Sequence, residues 1–124
     1  MTARRSQAAD FLPLTHLGFH VLLALVDEPL HGYAMVQRVR EASEGRIDPG
    51  TGSFYSVIHG LSDQGLIEEV ESRGAGGGGD RRRVYALSAL GRRVLAADTD
   101  RLESLVHEVD RRGVRPVWRK AVAR

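Results

Sequence analysis

Cysteine is absent from this chain, tryptophan occurs once, and the longest uninterrupted apolar run, Val21-Leu22-Leu23-Ala24-Leu25-Val26, is only six residues long. Without cysteine there is no disulfide framework and no thiolate metal site, a composition that fits a reducing cytoplasm. The apolar run falls far short of the ~20 residues that a membrane-spanning helix needs. Arg4, Arg5 and Asp10 precede it, but it leads into Asp27-Glu28-Pro29 without a small-residue cleavage pattern. No secretory leader and no membrane partner are therefore expected, and the chain reads as cytoplasmic.

Catalytic signatures are also missing. The chain holds no Ser/His/Asp order, no carboxylate pair in an apolar setting and no phosphate loop in its proper context, so neither an enzyme nor a bound cofactor is expected. Gly74, Gly76 and Gly79 match a G-x-G-x-x-G pattern formally. A dinucleotide cradle must lie between a strand and a helix so that the pyrophosphate meets the helix N-terminus, and here a second strand-like segment follows. His16 and His20 have the i, i+4 spacing of two ligands on one helical face, yet no glutamate of an H-E-x-x-H pattern lies between them and no third ligand is evident. They read as interface or core-edge histidines, and no metal is expected.

What is present is charge, and it is segregated. The 124 residues carry a formal net charge of +2. Residues 11 to 72 hold three arginines against nine acids, a balance of −6, whereas residues 73 to 93 hold six arginines against Asp80, a balance of +5. Six further cations and no acid follow from Arg111 to Arg124. Such a division is the electrostatic footprint of a site for a polyanion. A solvated loop and tail would carry the same runs, but three consecutive arginines, Arg81, Arg82 and Arg83, repel one another until an anion arrives.

The periodicity around that basic stretch predicts a specific order of elements. Leu14, Leu17, Val21 and Leu25 form the stripe of a first helix, ended by Asp27-Glu28-Pro29. A second helix is expected from about Leu30 to Ser43, with Tyr33, Val36 and Val39 on one side, broken by Gly45 and Asp48-Pro49-Gly50. In the third, residues 51 to 65, Phe54, Val57, Ile58 and Leu61 fall at i, i+3, i+4 and i+7. Thr51 or Ser53 suits its start and Gly65 its stop. Its outward positions, Ser53, Ser56, His59 and Ser62 beside Tyr55, are mostly short polar groups that could meet phosphates and base edges without holding the helix off a groove. The segments 66 to 72 and 81 to 87 flank a glycine-rich turn and read as a hairpin. Ser88 then caps a final helix from about Ala89 to Arg112, where Leu95, Leu102 and Val109 stand seven apart with Leu105 and Val106 beside them. So long a stripe exceeds what a small core covers, which predicts packing against a second copy and a homodimer.

The expected fold is mainly α with a small β-hairpin, an α+β winged helix-turn-helix followed by a dimerisation helix. Its parts are an N-terminal arm at 1–13, a DNA-binding unit at 14–88, the dimerisation helix at 89–112 and a basic tail at 113–124. The ordered motifs His31-Gly32-Tyr33, Gly52-Ser53-Phe54-Tyr55, Leu61 with Gln64-Gly65-Leu66-Ile67, Arg82-Arg83-Val84-Tyr85-Ala86-Leu87-Ser88 and Gly91 resemble those of the PadR family of bacterial transcriptional regulators, in its short form. That resemblance implies a third helix in the major groove of double-stranded DNA, a hairpin along the backbone or minor groove, and a dimer that represses a promoter until a small-molecule effector releases it. It places Tyr33, Ser53, Tyr55 and the hairpin arginines at the DNA. The chain departs from the pattern at Ser56, where a proline is common, at Gly60, where a basic residue is common, and in its long glycine run.

Combining both readings, Arg73, Arg81, Arg82 and Arg83 are expected to contact phosphates, while Ser53, Ser56 and His59 sample base edges. Tyr33 and Tyr55 have an alternative as half-buried aromatics whose hydroxyls meet water. Trp118 could pack on a partner subunit, stack on a flat effector, or belong to the tail. His107 is placed either across an interface or in solvent. The competing function is a winged helix used only for protein contacts, whose mark would be an apolar third helix and an uncharged hairpin.

Overall fold

The computed structural model describes residues 7–70 and 83–116. Four helices and a small antiparallel sheet follow in the order α1 (His16–Ala24), β1 (Leu30–His31), α2 (Gly32–Ala42), α3 (Thr51–Asp63), β2 (Ile67–Val70), β3 (Val84–Leu87) and α4 (Ala89–Arg111), preceded by a 3-10 turn at Ala8–Phe11. This α+β arrangement is the winged helix-turn-helix order expected from the periodicity.

Helix α1 is the central one. Thr15 caps it by accepting a hydrogen bond from the Gly18 amide at 2.9 Å. Val21, Leu22, Ala24 and Leu25 are buried, and α1 packs against α2, α3 and α4. A helix surrounded by others needs apolar residues on more than one side, which explains its near-continuous apolar run. Phe11, in the segment expected as an arm, joins the same core, and its 3-10 turn packs on α4.

The second helix begins two residues later than expected. Leu30 and His31 form β1, the edge of a sheet ordered β1-β3-β2, with Leu30 opposite Tyr85 and His31 opposite Val84. His31 is extended, and its Nδ1 accepts from the Ala34 amide at 3.3 Å, capping α2. The buried stripe of α2 is Gly32, Met35 and Val39, with Val36 partly covered. Tyr33, expected on that stripe, is 67% exposed. Starting the helix at Gly32 sets which positions face α1, and Tyr33 falls outside.

Helix α3 buries Phe54, Ile58 and Leu61, with Val57 at the edge of the core. Its N-cap is Gly50, which offers no side chain, rather than Thr51 or Ser53. At its other end Gly65 takes a left-handed φ of +79°, the Leu66 amide donates to the Leu61 carbonyl at 3.0 Å and the Gly65 amide to Ser62. This is a Schellman stop, with Leu61 and Leu66 buried together. Strands β2 and β3 pair directly, from Ile67 opposite Leu87 to Val70 opposite Val84.

Ser88 ties α4 to this turn. Its hydroxyl accepts from the Gly91 amide at 2.9 Å and donates toward the carbonyls of Gly65 at 2.6 Å and Leu66 at 3.0 Å. Val94, Leu95 and Asp98 are buried at the start of α4. Leu95, expected on the dimer stripe, is therefore covered by its own chain. Leu102, Leu105, Val106 and Val109 are all exposed. Among the described residues no helix is long and apolar enough to cross a membrane.

Candidate nucleic-acid interface

The exposed face of α3 carries Ser53, Tyr55, Ser56 and His59. The helix presents them because its opposite face is held in the core through Phe54, Ile58 and Leu61. Ser53 and Ser56 lie open along the helix, and side chains added at Gly52 or Gly60 would meet no atom within 4 Å. A partner can approach α3 closely along this side.

Beside it is a recess of about 580 Å³, lined by His31, Gly32, Tyr33, Tyr55, His59, Arg83 and Tyr85. Three elements build it: the start of α2, the middle of α3 and the start of β3. Tyr55 leans across Gly32, where a Cβ would stand 2.7 Å from the Tyr55 hydroxyl oxygen and push that side chain aside. Tyr55 also meets Phe54 edge to face, with ring centroids 5.5 Å apart. None of the lining residues among those described is acidic. Arg83 faces Glu69 at 3.8 Å, both side chains largely exposed, an ion pair too loose and too wet to hold the guanidinium against a competing anion.

Four of the residues assigned to DNA from sequence, Tyr33, Tyr55, His59 and Arg83, therefore meet around one recess, and Ser53 and Ser56 continue the same helix. Arg73, Arg81, Arg82, the glycine run from Gly74 to Gly79 and Trp118 lie outside the described residues. The fold and this surface now stand beside known proteins. Residues 21–97 match the model of the transcriptional regulator PadR-like family. The chain belongs to that family.

Solved PadR-like structures share its fold. A PadR family transcription regulator from Clostridium difficile R20291 superposes with a TM-score of 0.68 at 18% identity, covering 78% of this chain and 97% of that one. A PadR-like transcriptional regulator from Bacillus cereus gives 0.64 at 18% identity, covering 77% and 88%. Bacillus subtilis PadR, solved in complex with operator DNA, gives 0.58 at 20% identity over 67% of this chain and 47% of that one. In sequence, an uncharacterized 37.1 kDa protein in transposon TN4556 of Streptomyces fradiae is 33% identical over 85 residues, 68% of this chain. The chain spans 22% of that relative's length.

The PadR-like fold holds a second polar cluster away from this surface. Asp98 on α4 is 1% exposed and receives a hydrogen bond from the Arg101 guanidinium at 2.6 Å. Nearby on α1, His16 and His20 meet edge to face with ring centroids 5.1 Å apart. The Nδ1 of His20 is buried without a partner among the described residues. Burial, followed by the neighbouring His16, lowers the pKa of His20 below its ordinary value. A cavity of about 390 Å³ runs between these groups, lined also by Leu14, Thr15, Phe19 and Leu102.

Periodicity and charge missed four members of these sites as functional residues. His31 and Gly32 stood only in the family motif, and Tyr85 read simply as a strand former. Asp98 resembled any other acid on a long helix. Nothing in a one-dimensional pattern separates a carboxylate that faces α1 from one that faces water.

Proposed function

We propose that this chain is a DNA-binding repressor that acts as a homodimer in the cytoplasm and is released from its operator by a small molecule. The observation that carries the reading is the exposed, short-chained polar face of α3 continuing into a recess whose described lining holds Arg83 and no acid. Ser53, Ser56 and His59 read base edges from the major groove, with Tyr33 and Tyr55 at its margin. Arg73, Arg81, Arg82 and Arg83 supply phosphate contacts and most of the salt-dependent affinity. Residues 14–88 form the DNA-binding unit and 89–112 the dimerisation helix.

Dimerisation is supported by four exposed apolar residues on the second half of α4, Leu102, Leu105, Val106 and Val109. Two such helices laid together remove from water a face that α4's own domain does not cover. The effector reading is supported by the 390 Å³ cavity between α1 and α4, which has apolar and aromatic walls and one ion pair, of buried Asp98 with partly exposed Arg101. Leu102 belongs both to that cavity and to the dimer face, so an occupant could change the angle between two copies.

The test is binding of the full chain to duplexes from its own upstream region and to scrambled controls across a salt series. Sequence-selective binding of one dimer per site, with a steep loss in salt, is the expected result. Replacing Arg81 and Arg82 with glutamine should weaken binding to every duplex and reduce the salt slope by about two. Binding that ignores sequence, or none, would overturn the reading.

A further inference from the structure

His20 belongs to a cluster that the DNA face does not use. Its ring meets that of His16 edge to face, and the pair borders two recesses. The larger, about 390 Å³, lies between α1 and α4, with Leu14, Phe19 and Leu102 as apolar walls. The smaller, about 240 Å³, is lined by the same two histidines with Ser43, Glu44 and Arg46, where the chain leaves α2 for α3. The His20 Nδ1 is buried without a hydrogen-bond partner among the described residues, an uncommon state for a buried side-chain nitrogen. Burial, followed by His16, holds the pKa of this ring below its ordinary value, so at neutral pH it is an uncharged imidazole with one donor and one acceptor nitrogen.

We propose that the larger recess binds a small uncharged molecule with an apolar body and one hydroxyl group, and that this hydroxyl completes the hydrogen bonding of His20. The proposal rests on the reading of this recess as an effector site and names the chemistry its occupant needs. Charge decides first. Asp98 is 1% exposed and accepts from the Arg101 Nε at 2.6 Å, so each already has its counter-ion. A carboxylate or an ammonium entering here would give up its hydration and find no unmatched charge in return. Hydrogen bonding then decides the polar group. A hydroxyl both donates and accepts, so it satisfies Nδ1 whichever ring nitrogen bears the proton. The volume lies in the lower part of the ~300–1,000 Å³ range of small-molecule sites and suits a single ring or a short branched chain against Leu14, Phe19 and Leu102. An occupant that turns His20 also alters the second recess, where Ser43 accepts from the Ile47 amide at 3.0 Å and so holds the connection to α3. That gives the ligand a route to the DNA-facing helix.

Benzyl alcohol is the probe, with toluene, benzoate and benzylamine as controls of similar size. Each is titrated into the full chain labelled at histidine ring nitrogens and leucine methyls, and followed by nuclear magnetic resonance. Benzyl alcohol should shift the His20 ring nitrogens and the Leu102 methyls, and should bind about tenfold more tightly than toluene, which leaves the buried nitrogen unpaired. Both charged probes should bind more weakly than benzyl alcohol. His20→Phe, which keeps a ring at this position, should retain toluene and lose the preference for the alcohol, an outcome that a loosened core would not give. The wild-type ratio of alcohol to toluene decides the matter even where that variant fails to fold. Equal binding of toluene and benzyl alcohol, tighter binding of either charged probe, Leu102 shifts without His20, or no shift at all overturns the proposal. Duplex affinity is measured in parallel. Weaker duplex binding with benzyl alcohol bound supports the hydroxyl site and the effector reading together. Unchanged duplex affinity with His20 shifted leaves the hydroxyl site in place and overturns the effector reading.

Discussion

Gly91 lies so close to Leu66 that a Cβ on residue 91 would stand 2.0 Å from the Leu66 carbonyl oxygen. That carbonyl belongs to the turn ending α3 and already accepts from the Ser88 amide at 3.1 Å and from the Ser88 hydroxyl. The start of α4 is thus pressed against the stop of α3, and this contact fixes how the two helices meet. Gly91→Ala should cost about 2–3 kcal/mol, because the obstacle is backbone and cannot rotate away. Urea unfolding of the variant checks this, and an unchanged midpoint would contradict the contact.

Gly60 offers the opposite case. It is exposed on α3 beside His59, with nothing within 4 Å of the position its Cβ would take. Gly60→Lys should stabilise the helix by about 0.5–1 kcal/mol and increase the salt slope of duplex binding by about one. Thermal melting and a salt series read the two effects separately. A stabilised variant with unaltered DNA affinity would place this side of α3 away from the phosphates.

The two halves of α4 should respond differently to substitution. Leu95 is 8% exposed and packs in the core, whereas Leu105 is 51% exposed. Leu95→Ala should therefore cost about 2–4 kcal/mol of stability. Leu105→Glu should leave the monomer folded and prevent the proposed dimer. Sedimentation velocity alongside unfolding distinguishes them, and a Leu105→Glu chain that still sediments as a dimer would move the interface elsewhere.

His20 predicts a pH dependence. Its pKa is lowered from an ordinary 6.5 in the folded chain by burial and by His16. The unfolded chain binds the proton more readily, so stability contributed by neutral His20 is present above about pH 6.5 and is lost as the pH falls toward the folded value. Wild type and His20→Gln should share one stability profile at alkaline pH and separate below that point. Parallel profiles down to acid pH would show that His20 titrates as it does in the unfolded chain.

Much of the architecture was legible because it rests on local rules. Phe54, Ile58 and Leu61 mark the buried side of α3 by spacing alone, Gly65 marks its end, and Ser88 marks the start of α4. The errors came where a non-local partner decides. Leu30 and His31 are a strand only because Val84 and Tyr85, more than fifty residues away, pair with them. That pairing moves the start of α2 to Gly32 and turns Tyr33 outward.

The sequence by itself determined the order of the four helices and of β2 and β3, the polar face of α3 and the separation of charge, since each depends on neighbours within a turn or two of the chain. Only the tertiary structure decided that Leu95 serves the core while Leu105 remains exposed, that Asp98 is buried beside α1, and that Tyr85 opens onto a recess shared with Gly32 and Arg83. Those outcomes depend on which surfaces meet across long stretches of chain, and periodicity carries no information about distance in space.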